Sequence, residues 1–437
     1  MTKTHKPHGR SRFSAKSKFS SNTNRNRRSR SNPSIDISKF INQASQAPIL
    51  PKDEVTRTFA ELPLDKKLLE TIEGRGFINP TPIQDKSIDI VLKGKDLIGM
   101  ANTGTGKTGA FLIPTLDRML NDRNIKALIL APTRELALQI DTEFKKFSKK
   151  LGFNSALCIG GTSMHQQYKM LKQPHNLIIG TPGRINDLLD QGRIDISKFQ
   201  IIVLDEVDRM LDMGFIDDVR KILSFMPKNK QSLFFSATMP KAVEKLINDF
   251  STDIQTISVK SVETASTIDQ DIVQFTGLED KLETLHDILN KEDVTKVLIF
   301  GRTKHGVQNL TEKLNDRGFK AASIHGNKTQ AQRQRALMQF RKDLVNILVA
   351  TDVAARGLDI EDVSHVINYD IPETYEDYIH RIGRTGRANK RGQALTFVQK
   401  SEKQRQDNQQ RSGRPQGSKP ANRFQKRKPA GRDNRKP

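Results

Sequence analysis

Residues 97–108 read Leu97-Ile-Gly-Met100-Ala101-Asn-Thr-Gly-Thr-Gly-Lys-Thr108, and an apolar stretch follows from Gly109. A short apolar run that breaks into a Gly-punctuated loop ending in Lys-Thr, then resumes as an apolar helix, is the strand–loop–helix context of a P-loop. Gly104 and Gly106 let backbone N–H groups, with those of Thr103 and Thr105, wrap phosphate, and the helix N-terminus adds positive potential. Lys107 is placed for the β- and γ-phosphates and Thr108 for Mg²⁺. The first position of the motif is Ala101 where the standard form has Gly.

Outward from this loop the same grammar repeats. Short runs that are apolar almost throughout stand at Asp96–Met100, Ala127–Ala131, Leu177–Gly180, Ile201–Asp205 and Leu233–Ser236. Such runs are what strands covered on both faces require. Between them, Leu136, Ile140, Phe144 and Phe147 recur at helical spacing within 135–151. Residues 259–267, VKSVETAST, are polar and aperiodic and read as a linker. Alternation then resumes at Val297–Phe300, Ala321–His325, Ile347–Thr351, Val366–Tyr369 and Ala394–Val398. The expected fold class is α/β, with two tandem parallel-sheet domains over 53–258 and 268–398.

Charge divides the chain differently. Of 73 Lys+Arg and 50 Asp+Glu in 437 residues, positions 1–50 hold 11 basic residues and one acid, and 399–437 hold 13 and three. The remaining 51–398 carries 73 − 24 = 49 basic against 50 − 4 = 46 acidic residues, a net of only +3. The flanks, 1–52 and 399–437, are too poor in apolar residues to offset chain entropy, and they read as disordered polycationic tails. Their natural partner is polyphosphate, bound without sequence preference; the alternatives are a solvating tail with no partner and, for residues 1–35, which hold no acid, an organelle transit peptide. The single Cys158 excludes a disulfide framework and any Cys-based zinc site. No apolar run reaches a membrane span, and with no signal peptide the expected setting is cytoplasmic, without a membrane partner.

Two further constellations carry chemistry. Ile201-Ile-Val-Leu-Asp205-Glu206 ends an apolar strand in two carboxylates, where ligands sit in open α/β sheets. Asp205 is expected to hold Mg²⁺ and Glu206 to position or deprotonate the attacking water. Tyr378-Ile-His-Arg-Ile-Gly-Arg-Thr-Gly-Arg387 runs from an amphipathic helix into a Gly-punctuated loop displaying Arg381, Arg384 and Arg387. The planar fork of arginine suits transition-state phosphate. An arginine loop in one domain opposite a P-loop in the other predicts an active site completed by closure of a cleft.

Taken together, these residues resemble the DEAD-box family of ATP-dependent RNA helicases, over essentially all of 57–398. Phe59 and Gly76-Phe77-Ile-Asn-Pro80-Thr81-Pro-Ile-Gln84 look like the Q motif. That resemblance implies that Gln84 reads the adenine edge and Phe59 stacks on the ring. It also assigns Pro132, Thr133 and Arg134, Gly160 and Gly161, and Thr181, Pro182, Gly183 and Arg184 to RNA, with Gln330, Arg333 and Thr351 in the second domain. Asp359 is implied for the ribose, Arg384 and Arg387 as fingers, and Asp208, Ser236, Thr238 and His380 for coupling hydrolysis to strand separation. Position 207 is Val in Asp205-Glu-Val-Asp208, a departure from the family's name that adds two methyl groups where packing is tight. Asp208-Arg-Met-Leu-Asp-Met-Gly-Phe215 and the basic C-terminal tail look most like the bacterial RhlE branch.

The resemblance implies an enzyme that hydrolyses ATP with Mg²⁺, grips RNA by its backbone and locally unwinds short duplexes or remodels RNA–protein complexes. Ribosome assembly and RNA decay are the contexts it suggests, with a monomer as the default state. Two rival readings are an ATP-gated RNA clamp or assembly factor, and a DNA helicase or remodeller.

Overall fold

The computed structural model describes residues 40–41, 55, 57–102, 104–251, 253–259, 268–355, 360, 363–386 and 392–400. The expectations for most of the two tails, for linker residues 260–267 and for Thr103, Asp359 and Arg387 lie outside the described residues.

Two α/β domains each carry one parallel sheet. The first contains β1 (Asp96–Met100), β2 (Ala127–Leu130), β3 (Ser155–Cys158), β4 (Leu177–Gly180), β5 (Ile201–Asp205), β6 (Gln231–Ser236) and β7 (Ile254–Ser258) in the order β3-β4-β2-β5-β6-β1-β7. The second contains β8 (Ile268–Phe275), β9 (Val297–Phe300), β10 (Ala321–Ile324), β11 (Ile347–Ala350), β12 (His365–Asn368) and β13 (Gly392–Gln399) in the order β10-β11-β9-β12-β13-β8. The central strands are buried on both faces because helices cover both sides of each sheet. In β2 and β5, Ile129, Ile201 and Val203 point into one apolar cluster with Phe111 and Leu116 of the P-loop helix (Lys107–Asn121). The alternate residues Leu128, Leu130, Ile202 and Leu204 point into the other, with Ile222 and Leu246.

Three strands escape the sequence reading: β3, β7 and β8. All three are sheet edges. An edge strand is covered on fewer sides, so β8 (IDQDIVQF) and β7 (IQTIS) mix polar residues into the run and lose the continuous apolar signature. The remaining boundaries differ by one to three residues. The P-loop helix begins at Lys107 and not at Gly109, and the helix expected over 135–151 spans Arg134–Ser148.

The parallel arrangement brings the chemistry to one rim. The P-loop follows β1, Thr133 follows β2, Gly160 follows β3, Thr181 follows β4, Glu206 follows β5 and Ala237 follows β6, all at C-terminal strand ends. In the second sheet Thr351 follows β11 in the same sense.

Of the expected N-terminal tail, 1–52, Phe40 and Ile41 are among the described residues. Phe40 is fully buried, against the second domain, in an apolar cluster with Ile268, Tyr378, Ile382 and Ala394. Its ring centroid lies 4.7 Å from that of Tyr378. Burying a Phe side chain is worth roughly 1.5–3 kcal/mol, enough to hold one or two residues against a backbone ordering cost of about 1–2 kcal/mol each. At the other end, β13 runs through Gln399, one residue into the expected C-terminal tail.

Candidate nucleotide site and RNA-facing cleft

The P-loop is built by two left-handed glycines. Gly104 has φ +82° and Gly106 has φ +92°, so both positions favour residues without a Cβ. At Gly106 a Cβ would also stand 2.7 Å from the side chains of Gln84 and Thr81. The loop is therefore packed against the Q-motif helix (Pro82–Leu92). Gln84 accepts the Thr81 N–H at 2.9 Å and donates from Nε2 to the Gly106 carbonyl at 3.0 Å. Each half of its amide thus has one partner and retains one free donor and one free lone pair. Thr105 Oγ donates to the Asn102 carbonyl at 2.9 Å and tightens the turn.

Lys107 is the first residue of the P-loop helix and is 7% exposed, yet its Nζ has no hydrogen-bond partner among the described residues. Oδ1 of Asp205, 3% exposed, is likewise without one. A buried ammonium and a buried carboxylate oxygen left unpaired cost free energy unless something fills the space between them. Burial pushes the Asp205 carboxyl well above the usual carboxylate range, against the pull of Lys107. An anion with a divalent cation resolves both deficits. Mg²⁺ characteristically takes one or two carboxylates plus substrate phosphates, which is what Asp205 and Thr108 beside the P-loop offer.

Glu206 adopts φ +54°, ψ +53°, a left-handed conformation that a non-Gly residue rarely holds outside functional sites. Its carboxylate accepts from Arg209 Nη1 at 3.0 Å, both side chains being buried. Val207 is fully buried in the apolar cluster that includes Leu204 and Met210, so its added methyl groups lie in core. Asp208 grips the segment after β6: its Oδ2 accepts from the N–H groups of Ala237 (3.1 Å) and Thr238 (2.8 Å) and from Thr238 Oγ (3.0 Å). Burial opposes the charged form of Asp208, but those bonds and the charges of Lys107 and Arg209 outweigh it and hold the group below the carboxylate norm. Ser236 Oγ accepts from the Asp208 N–H and donates to the Thr238 carbonyl.

A cavity of about 510 Å³ joins these parts. Its walls include Phe59, Gln84, Lys107, Asp205, Glu206 and, from the second domain, Arg384. Arg75, whose guanidinium lies 4.1 Å from the Phe147 ring centroid and pairs with Glu143 at 2.8 Å, lines it too, and the sequence reading missed it. Arg381 is elsewhere. It sits in the last turn of the helix Tyr375–Ile382, not in the loop beyond it. It is fully engaged: Nε and Nη2 meet Asp352 at 2.5 and 2.7 Å, and Nη1 donates to Asn368 and to the Asp370 carbonyl. Arg381 is therefore a structural arginine, and Arg384 is the one presented to the cavity. His380 faces Arg209 and Asp208 across the cleft, and burial beside Arg209 lowers its pKa to about 4, so it is neutral near pH 7.

Residues 81–246 match the DEAD/DEAH box helicase model and residues 280–389 the helicase conserved C-terminal domain. The chain belongs to the DEAD-box helicase family. The ATP-dependent RNA helicase CshA of Listeria monocytogenes is 44% identical over 346 residues, covering 79% of this chain and 66% of that protein, so the chain spans just under two thirds of its length. Among solved structures, Mss116p bound to ssRNA and AMP-PNP is similar with a TM-score of 0.72 at 32% identity, covering 80% of this chain and 77% of that one. S. cerevisiae Dbp5 bound to RNA and ADP BeF3 is similar with a TM-score of 0.69 at 31% identity, covering 82% and 93%.

Within this DEAD-box chain, the residues assigned to RNA divide into two groups. On the first domain, Arg134 lies over the glycine pair, where a Cβ on Gly161 would come within 2.2 Å of its Nη1; Gly161 also has φ +72°. These glycines make room for the guanidinium as well as exposing amides. Thr133 and Thr181 head the helices Arg134–Ser148 and Pro182–Asp190, and Pro182 is the first residue of the latter. A Cβ at Gly183 would meet open space. Arg184 keeps Nε and Nη1 buried without a hydrogen-bond partner, only a 3.7 Å ion pair with Asp187. On the second domain, Gln330 and Arg333 do something the sequence reading did not foresee. Gln330 Nε2 donates to Glu135 at 3.0 Å, and Arg333 Nη2 pairs with the other Glu135 oxygen at 3.1 Å. They latch the two domains together through a buried acid that had no assigned role. Thr351 heads the short helix Asp352–Ala355, its carbonyl accepting from Ala354 and Ala355.

Proposed function

We propose that this DEAD-box protein is an RNA-stimulated ATPase that locally separates short RNA duplexes or remodels RNA–protein complexes. The observation that carries the reading is Arg384. It comes from the second domain yet lines the same cavity as Lys107, Asp205 and Glu206. A site assembled from both domains is competent only when the cleft is closed, which ties turnover to whatever closes it.

In this reading Lys107 and the P-loop amides hold the phosphates, and Phe59 and Gln84 take the adenine, Gln84 with the donor and lone pair left free by its existing bonds. Asp205 and Thr108 hold Mg²⁺, which when bound neutralises phosphate charge and orients the γ-phosphoryl group. Glu206 positions the attacking water, and Arg384, with Arg387, meets the charge developing on the transferred group. Arg134, Thr181, Arg184 and Thr351 hold the RNA backbone, hence without sequence preference. Discrimination against DNA rests on 2′-OH contacts. Asp208, through its grip on Ala237–Thr238, and His380, opposite it, link the nucleotide to the RNA face. The basic tails tether RNA. Ribosome assembly or RNA decay in the cytoplasm, as a monomer of the RhlE type, is the setting this reading favours.

One observation favours slower turnover. Arg209 already occupies one oxygen of Glu206, which suits an ATP-gated RNA clamp that holds longer than it cycles. The deciding experiment measures ATP turnover with single-stranded RNA, with DNA of the same sequence and with neither. Stimulation by RNA alone is expected. Equal stimulation by DNA overturns the reading, and duplex separation that persists with a non-hydrolysable ATP analogue but without recycling selects the clamp.

A further inference from the structure

We propose that Phe40 is a docking residue for the second domain, and that its ring positions the helix that leads into Arg384. Of the two described residues here, Phe40 is fully buried whereas its neighbour Ile41 is 52% exposed, so the Phe40 side chain is the one inserted. The seat is formed at the junction of three elements: Ile268 from edge strand β8, Ala394 from β13, and Tyr378 and Ile382 from the helix Tyr375–Ile382. Tyr378 and Ile382 are four apart and share one helix face. The Phe40 ring stands 4.7 Å from Tyr378, centroid to centroid, tilted 55°, within the range of favourable aromatic pairs. Tyr378 is in turn pinned by its hydroxyl, which donates to Gln270 of β8 at 2.9 Å.

The rest of that helix and its C-terminal end serve the cleft. Arg381 there binds Asp352 and Asn368, His380 faces Asp208 and Arg209, and Arg384 stands two residues beyond the helix end, at the nucleotide cavity. The helix is thus held between a polar network on the cleft side and an apolar seat on the back, and Phe40 fills that seat. Removing the ring leaves a void behind the helix, and the helix can settle into it. The occupant of this surface is the chain's own Phe40, from the N-terminal side of the first domain.

The positioning role rests on the proposed ATPase reading; the docking does not. The test uses the full chain with Phe40→Ala and Phe40→Leu and two independent readouts. Trypsin cleavage after Lys39 reports the seat directly and should be several-fold faster in Phe40→Ala than in wild type, with Phe40→Leu close to wild type. RNA-stimulated kcat should fall about tenfold in Phe40→Ala with KM for ATP little changed, inside the roughly hundredfold that a 1 Å misplacement of a catalytic group can cost. A synthetic peptide of residues 34–45, added in trans, should restore kcat to Phe40→Ala, which a globally unfolded variant could not allow. Equal cleavage of wild type and Phe40→Ala overturns the docking. Accelerated cleavage with unchanged kcat, or a kcat loss that the peptide does not repair, overturns the positioning. A wild-type chain with no RNA-stimulated turnover would instead sink the ATPase reading and leave the cleavage result standing.

Discussion

Two buried cations, one in each domain, are treated in opposite ways. Arg381, on the second domain, has its guanidinium engaged by Asp352, Asn368 and a main-chain carbonyl. Lys107, on the first, is just as hidden and its Nζ touches no acceptor. A buried charge without partners is costly, so its persistence marks a place kept for a ligand, while a saturated one marks architecture. The two look alike in sequence, each a basic residue in a Gly-rich motif. Only the count of their partners tells them apart.

That contrast can be broken by mutation, and the largest effect belongs to the acid that follows Asp205. Glu206→Gln should lower kcat on the order of 10²–10³-fold, the scale of losing one group placed for the transition state, while ATP and RNA binding persist. A turnover assay paired with equilibrium binding separates the two, and normal turnover would remove Glu206 from water activation. Next is Arg381→Ala. Removing one partner of a buried ion pair costs about 3 kcal/mol or more, so thermal unfolding should shift down sharply, whereas Lys107→Ala, which removes a buried cation whose Nζ has no hydrogen-bond partner among the described residues, should leave stability nearly unchanged. If Lys107→Ala proved the more destabilising, the contrast between the saturated cation and the one kept for a ligand would be reversed.

A smaller effect is expected at the domain latch. Glu135→Gln removes the charge that Arg333 pairs with and should weaken RNA binding in the presence of a non-hydrolysable ATP analogue, by a few-fold, without altering binding of the analogue alone. Binding that is unchanged with both ligands present would show that the Gln330–Arg333–Glu135 contact is incidental to closure. Smallest is the pH dependence from His380, whose folded pKa is lowered from 6.5 to about 4. The closed form favours the neutral ring, so its contribution is fully present above about 6.5 and is lost as pH falls toward 4. RNA affinity with the analogue should therefore decline below pH 6.5, and His380→Gln should flatten that part of the profile.

The central strands, the P-loop and the two acids after β5 were legible in sequence because each obeys a local rule: an apolar run buried on both faces, glycines at left-handed φ, carboxylates at a strand's C-terminal end. What was not legible is relational. Edge strands β3, β7 and β8 lack the double-faced burial that gives the signal. Glu135 and Asp352 have meaning only through partners that folding brings near, and the partner of Glu135 lies 195 residues away. Arg381 was grouped with the finger loop because composition cannot separate a helix's last turn from the loop that follows. Phe40 was absorbed into a tail by its neighbours' composition, although one aromatic side chain is enough for a seat.

The account stands on the claim that the second domain completes the nucleotide site. ATP turnover of wild type and Arg384→Ala, with and without saturating single-stranded RNA, tests it most directly. Wild type should be stimulated by RNA, and Arg384→Ala should bind ATP and RNA normally yet show no stimulation. An Arg384→Ala protein that RNA stimulates as strongly as wild type would contradict a shared site.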